Sequence, residues 1–229
     1  MRTTRILAAA ALASAIAMPA IGSELETPKD RLSYTIGMDI GQSLADQDME
    51  LDLDLLVEAL RAAYAGEETR LTVEEALEER NAFIARRQQE MEQTMARDAV
   101  TNLEAGQAFL AENRQREDVI ETDSGLQYRV IEEGSGRSPS ATDQVTVHYR
   151  GTLIDGTEFD SSYARNQPAT FALNQVIPGW TEGLQLMSEG AKYEFFIPAD
   201  LAYGDQGRPG PIGPNSTLIF EVELLEVGG

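Results

Sequence analysis

From Thr72 to Asn113 the chain has no proline and is rich in Glu, Arg, Gln and Ala, residues that lose little side-chain freedom in a helix. Thr72 followed by Glu75 has the form of a capping box. This predicts one unbroken helix, which at 1.5 Å per residue reaches roughly 60 Å, more than a small domain is wide. Its apolar positions, Leu77, Ile84, Met91, Met95 and Phe109, are too sparse for a core-facing stripe, and no heptad persists. A helix this long and this polar cannot be buried. The pattern predicts a solvated stalk, supported by ion pairs such as Glu90 with Arg86 and Arg87, and it divides the chain into a part before and a part after.

The part before is helical. In "TPKDRLSYTIGMDIGQSLADQ", Thr27 suits an N-cap and Pro28 a first helical position. Leu32, Ile36, Ile40 and Leu44 then recur every four residues beside a stripe of small ones, Ser33, Gly37, Gly41 and Ala45. A second helix is predicted from about Asp54 to Ala65, with Leu56, Leu60, Ala63 and Tyr64 on one side and Gly66 as its stop. Two such short helices bury too little surface to stand alone, so the stripe predicts a seam between two copies of the chain; tight packing within one subunit is the alternative. At the amino terminus, Arg2 and Arg5 precede an apolar run from Ile6 to Ala17, with small residues at Ala20 and Gly22. That is the pattern of a secretory signal peptide over residues 1–22, with an apolar run too short to span a bilayer. The expected division is 1–22 signal peptide, 23–71 helical dimerisation region, 72–114 linker helix and 119–229 a second domain. The expected location is the periplasm or cell envelope of a Gram-negative bacterium, in soluble form.

Charge and residue usage narrow the chemistry. A formal charge of -21 and a pI near 4.3 oppose binding to nucleic acid or an anionic membrane, both of which recruit Lys and Arg. There is no cysteine and a single histidine, His148, so thiolate chemistry is excluded, a metal site is not expected, and no cofactor motif is found. A serine triad would depend on His148 alone.

After "ENRQREDVIETDSG" the periodicity changes from helical to alternating. "GLQYRVIEEGSG", "DQVTVHYRGTLIDGTEFDSS", "ATFALN", "AKYEFFIP" and "STLIFEVELLEV" read as strands, with Asp155-Gly156 as a two-residue hairpin turn. One short helix begins near Gly179, with Trp180, Leu184 and Met187 on one side. The fold class predicted is α+β: N-terminal helices and a long linker helix, then an antiparallel sheet wrapped around a short helix. Alternation places Val145, Val147 and Tyr149 on one face and His148 on the other, with Leu218, Phe220, Val222 and Leu224 sharing a second inward row.

From about Ile120 to Val227 these segments resemble the FKBP-type peptidyl-prolyl isomerases, through "VTVHYRGTLIDGTEFDSS", "VIPGWTEGLQLM", "LAYG" and "TLIFEVELL" in the family's order and spacing. The helical half and "QPATFALNQVIPGWTEGLQLM" are most similar to the macrophage infectivity potentiator branch. That branch implies a V-shaped homodimer joined through its N-terminal helices. The resemblance also implies a proline pocket with Trp180 as its floor and Tyr149, Phe159, Val176, Ile177 and Phe220 as its wall. Asp160 and Tyr203 would supply its polar groups, Arg165 would hold Asp160, and Ile212 would sit on a bordering loop. Asp160, Tyr203 and Phe159 are the residues implied to act on the substrate, with no cofactor and no metal. The implied partners are proline-containing unfolded or partly folded proteins, and macrolide inhibitors. Ala169, Gln175, Arg208 and Pro211 depart from common family residues around the pocket. A holding chaperone, gripping unfolded chains with two pockets on long arms, is the alternative function.

Overall fold

The computed structural model describes residues 25–47 and 49–228, so the signal-peptide reading lies outside the described residues. The chain divides into two compact units after Thr72. In the first, α1 (Pro28–Asp46) starts as its sequence requires: Thr27 Oγ1 accepts the Asp30 N–H at 3.1 Å, and the Asp30 carboxylate accepts the Thr27 N–H at 3.0 Å. Asp52 caps α2 (Leu53–Ala65) by accepting the Asp54 and Leu55 N–H groups, and Gly66 ends it with φ of 70°. Neither helix buries a residue. Leu32, Ile36 and Ile40 are 62%, 50% and 40% exposed, so these apolar positions of α1 are left uncovered by the described residues.

The second unit begins with α3 (Val73–Asn113), a single helix of 41 residues. Most of it faces solvent, as its polarity demands, but its end does not behave as a free stalk. Gly106, Leu110 and Asn113 are buried, and the Phe109 ring lies 5.9 Å from that of Phe196. Asn113 Nδ2 donates to Gln127 Oε1 at 2.9 Å, and Gln127 Nε2 donates to the Leu110 carbonyl at 2.9 Å. Higher up, Asn102 donates to the Pro214 carbonyl and Asn215 to that of Ala99. The last turns of α3 are therefore clamped to the sheet. Amide side chains make much of the clamp, which is why hydrophobic periodicity did not announce it.

Seven antiparallel strands follow: β1 (Ile120–Glu121), β2 (Gln127–Glu132), β3 (Gln144–Leu153), β4 (Glu158–Ser161), β5 (Ala169–Ala172), β6 (Lys192–Ile197) and β7 (Leu218–Gly228). They lie in the order β1-β2-β6-β7-β3-β4, and β5 also pairs with β3. The ten residues of β3 are thus shared along one edge, Arg150 to Thr152 with β4 and Gln144 to Val147 with β5. Between those two strands the chain leaves the sheet. The short helix α4 (Pro178–Gln185) packs into the concave side, where Leu184, Phe195, Ile197, Val145, Val147, Val222 and Leu224 have no exposed surface. Burial along β3 alternates as the sequence predicts.

One turn differs. Residues 154–157 form a four-residue connection rather than a two-residue hairpin. A two-residue type I′ turn needs positive φ at both central residues, and here Gly156 has φ of 87° while Asp155 does not. Asp155 instead accepts the Thr157 N–H at 2.9 Å, and the Gly156 N–H closes onto the Leu153 carbonyl.

Candidate active site

The gap between β4 and β5 opens onto a cleft of about 470 Å³, closed below by the first turn of α4. Pro178 at the start of α4 fixes the entry of the helix and places Trp180, only 4% exposed, as the floor. The rings of Tyr149, Phe171 and Phe220 stand edge-on to it at 5.3, 5.4 and 5.2 Å. Phe159 continues the box, edge-on to Phe220 at 5.4 Å. Edge-to-face contacts of this kind lock ring orientation and add about 0.5–1.5 kcal/mol per pair beyond simple burial. The Trp180 indole N–H has no acceptor among the described residues and is surrounded by these rings.

The polar groups sit at the rim. Tyr149 Oη donates to Asp160 at 2.6 Å and accepts from Arg165 Nη2 at 2.9 Å, and Arg165 Nη1 donates to the other Asp160 oxygen. Burial pushes the Asp160 carboxyl upward, but the bonds from Tyr149 and Arg165 outweigh it and hold the group below its ordinary value of 3.8. Burial, then the bond to Asp160, raises the Tyr149 phenol, which keeps its proton. Asp160 is thus an ionised carboxylate with its charge already matched. Two donors remain unspent toward the cleft. The Ile177 N–H, at the N-cap of α4, has no acceptor among the described residues. The Tyr203 hydroxyl accepts from Arg208 Nη1 at 3.2 Å and keeps its own proton to donate.

Tyr149, Phe159, Asp160, Val176, Ile177, Trp180, Tyr203 and Phe220 all line this cleft. Ile212 does not; it lies in an adjoining hollow of about 290 Å³ with Pro209 and Pro211, which shares Phe159, Asp160 and Arg208 with the main cleft. The sequence reading missed Phe171, whose signal is that it shares a face of β5 with Ala169 while Thr170 points to solvent. It also missed Gly151. A Cβ there would lie 2.5 Å from the Phe159 ring and 2.7 Å from that of Phe220, so this glycine makes room for two walls of the cleft. Its signal is a lone glycine inside a strand pattern. His148 faces away from the cleft: Nδ1 is 2.9 Å from Ser162 Oγ, and the ring stacks on Tyr163 at 4.7 Å. Ser162 is fully buried and bonded to the Tyr149 backbone, so the pair offers no nucleophile.

The sequence model of the "FKBP-type peptidyl-prolyl cis-trans isomerase" matches residues 135–225, and that of the "domain amino terminal to FKBP-type peptidyl-prolyl isomerase" matches residues 29–130. A probable FKBP-type peptidyl-prolyl cis-trans isomerase FkpA of Neisseria meningitidis is 48% identical over 199 residues, covering 86% of this chain and 73% of the relative. The chain belongs to the FKBP-type isomerase family. The outer membrane protein MIP of Legionella longbeachae is 43% identical over 221 residues, 94% of this chain and 93% of the relative. The crystal structure of FkpA from Escherichia coli superposes with a TM-score of 0.69 at 40% identity, covering 89% of this chain and 98% of that one. In this FKBP-type chain the amino-terminal match runs beyond α3 into β2, across the Asn113–Gln127 clamp.

Proposed function

We propose that the cleft accelerates rotation about X–Pro peptide bonds by removing the twisted amide from water. The barrier to that rotation is about 18–20 kcal/mol, most of it lost amide resonance. The twisted amide has less charge separation than the planar one, so an apolar box favours it over the ground state. The proline ring rests on Trp180, the Tyr203 hydroxyl and Ile177 N–H hold the substrate's backbone, and Asp160 lies beside the turning carbonyl. The observation that carries this reading is the closed Asp160–Tyr149–Arg165 triangle at the rim of an aromatic box that still has two unspent donors. It calls for no nucleophile.

Phe159→Ala and Asp160→Leu test the assignment. Both side chains are only half-buried, so folding should survive. Each tenfold of rate corresponds to about 1.4 kcal/mol. Turnover of a Leu-Pro peptide is expected to fall at least about tenfold in each, with the far-UV spectrum unchanged. Wild-type turnover in both variants would refute the site.

The same reading extends to a homodimer through the N-terminal helices, acting on unfolded exported proteins in the cell envelope. Its support is the uncovered apolar stripe of α1 and the two glycines beside it. A Cβ at Gly37 or Gly41 would meet nothing within 4 Å, so the described residues give no steric reason for either. Each nevertheless costs about 1 kcal/mol of helix propensity. Close approach of a second helix supplies a reason. The double substitution Gly37→Leu, Gly41→Leu is expected to sediment as a monomer with short-peptide turnover unchanged. Its advantage on a slow-refolding protein should shrink, because a tethered second pocket is lost. A variant that still sediments as a dimer would refute the seam. Among the described residues no helix is long and apolar enough to cross a membrane.

A further inference from the structure

Most cations of the sheet domain are already matched. Arg114, Arg116, Arg129, Arg137, Arg165 and Lys192 each have a carboxylate within 4 Å. Among the described residues from 114 onward, Arg208 is one of two that do not, and it borders both the proline cleft and the hollow beside it. Its guanidinium lies 5.7 Å from the centre of the Tyr203 ring, and its one bond among the described residues is to the Tyr203 hydroxyl. The backbone beneath it is stiff. The Arg208 N–H donates to the Ile212 carbonyl at 2.8 Å, closing a loop that contains Pro209 and Pro211. Gly207 enters that loop with φ of 64°, where a Cβ would lie 2.5 Å from the Ile212 carbonyl oxygen. The charge is thus held over a hollow with Ile212 buried in its wall.

We propose that Arg208 makes this isomerase select peptides with an acidic side chain immediately before the proline. The inference rests on the proposed substrate pose. There the carbonyl that turns beside Asp160 belongs to the residue before the proline, and Asp160 is shared between the cleft and the hollow. That residue's side chain therefore enters the hollow beneath Arg208. The repulsion from the carboxylate already there is offset, because Arg165 matches its charge and Tyr149 donates a hydrogen bond to it. The overall charge of -21 opposes acidic clients at long range. At physiological salt that field is screened beyond about 8 Å, whereas a substrate carboxylate in the hollow meets Arg208 at contact distance. The local cation wins.

The test compares kcat/KM for Glu-Pro and Gln-Pro peptides, which match in shape and differ in charge. Wild type is expected to prefer Glu over Gln by about two- to fivefold at low salt, the range an exposed ion pair supplies. Arg208→Lys should retain the preference, Arg208→Gln abolish it, Arg208→Glu reverse it, and 0.5 M salt reduce it in wild type. A structural role for Arg208 would move both peptides together and leave the ratio in place. A ratio that is the same in wild type and Arg208→Gln, or that ignores salt, overturns the proposal. If Asp160→Leu and Phe159→Ala keep wild-type Leu-Pro turnover, the site itself falls. A flat ratio with those two variants inactive overturns the Arg208 assignment alone.

Discussion

Trp180→Ala is expected to lower the stability of the sheet domain by about 3–5 kcal/mol, the usual cost of emptying a buried tryptophan site. The side chain is 4% exposed and three rings stand on it, so none can fill the space without giving up its own edge-to-face geometry. One term works the other way. The indole N–H is buried without an acceptor among the described residues, and removing it recovers a desolvation cost of about 1 kcal/mol, which favours the lower end of the range. Because Trp180 is the chain's only tryptophan, the urea midpoint should be followed by circular dichroism rather than intrinsic fluorescence. Trp180→Phe should recover most of the stability but leave a shallower floor. A loss below about 1 kcal/mol in the alanine variant would mean that Trp180 is not the keystone of the ring cluster.

A fragment beginning at Val119 is expected to be about 3–5 kcal/mol less stable than one beginning at Met95. The shorter fragment loses the buried Leu110, worth about 1.5–3 kcal/mol. It also loses the Phe109–Phe196 ring contact, worth about 0.5–1.5 kcal/mol. The buried Gln127 amide loses both its Asn113 and Leu110 partners and must find water instead. Against a total stability of about 5–15 kcal/mol for a domain, this is a large fraction. Equal urea midpoints for the two fragments would show that α3 merely lies against the sheet. The longer fragment also keeps Asn102 and Ala99 on Pro214 and Asn215, which follow directly on the loop that carries Arg208 and Ile212.

Both predictions bear on how the cleft is assembled. The floor comes from α4, the walls from β3, β4, β5 and β7, and the rim from the loops after β4 and β6. The triangle of Asp160, Tyr149 and Arg165 ties β3 to the first of those loops and fixes the carboxylate. Such a rim presents its donors to the substrate in advance, so little reorganisation is required during the turn of the amide.

The sequence by itself determined the features that depend on near neighbours along the chain. The absence of proline from Thr72 to Asn113 made α3, Thr27 and Pro28 made the start of α1, and alternation along β3 separated Tyr149 from His148. Caps, helix propensity and strand alternation act over a few residues, and so they are legible there. The cleft was legible through Trp180, Phe159, Asp160 and Tyr203 because those positions sit in spaced motifs. Only the tertiary structure placed Phe171 on the cleft wall, gave Gly151 its reason, seated the polar end of α3 through Asn113 and Gln127, and set Arg208 over Tyr203. Each of those depends on which strand or loop arrives beside it from far along the chain, and amides, a glycine and a charged side chain leave no periodic trace of such an encounter.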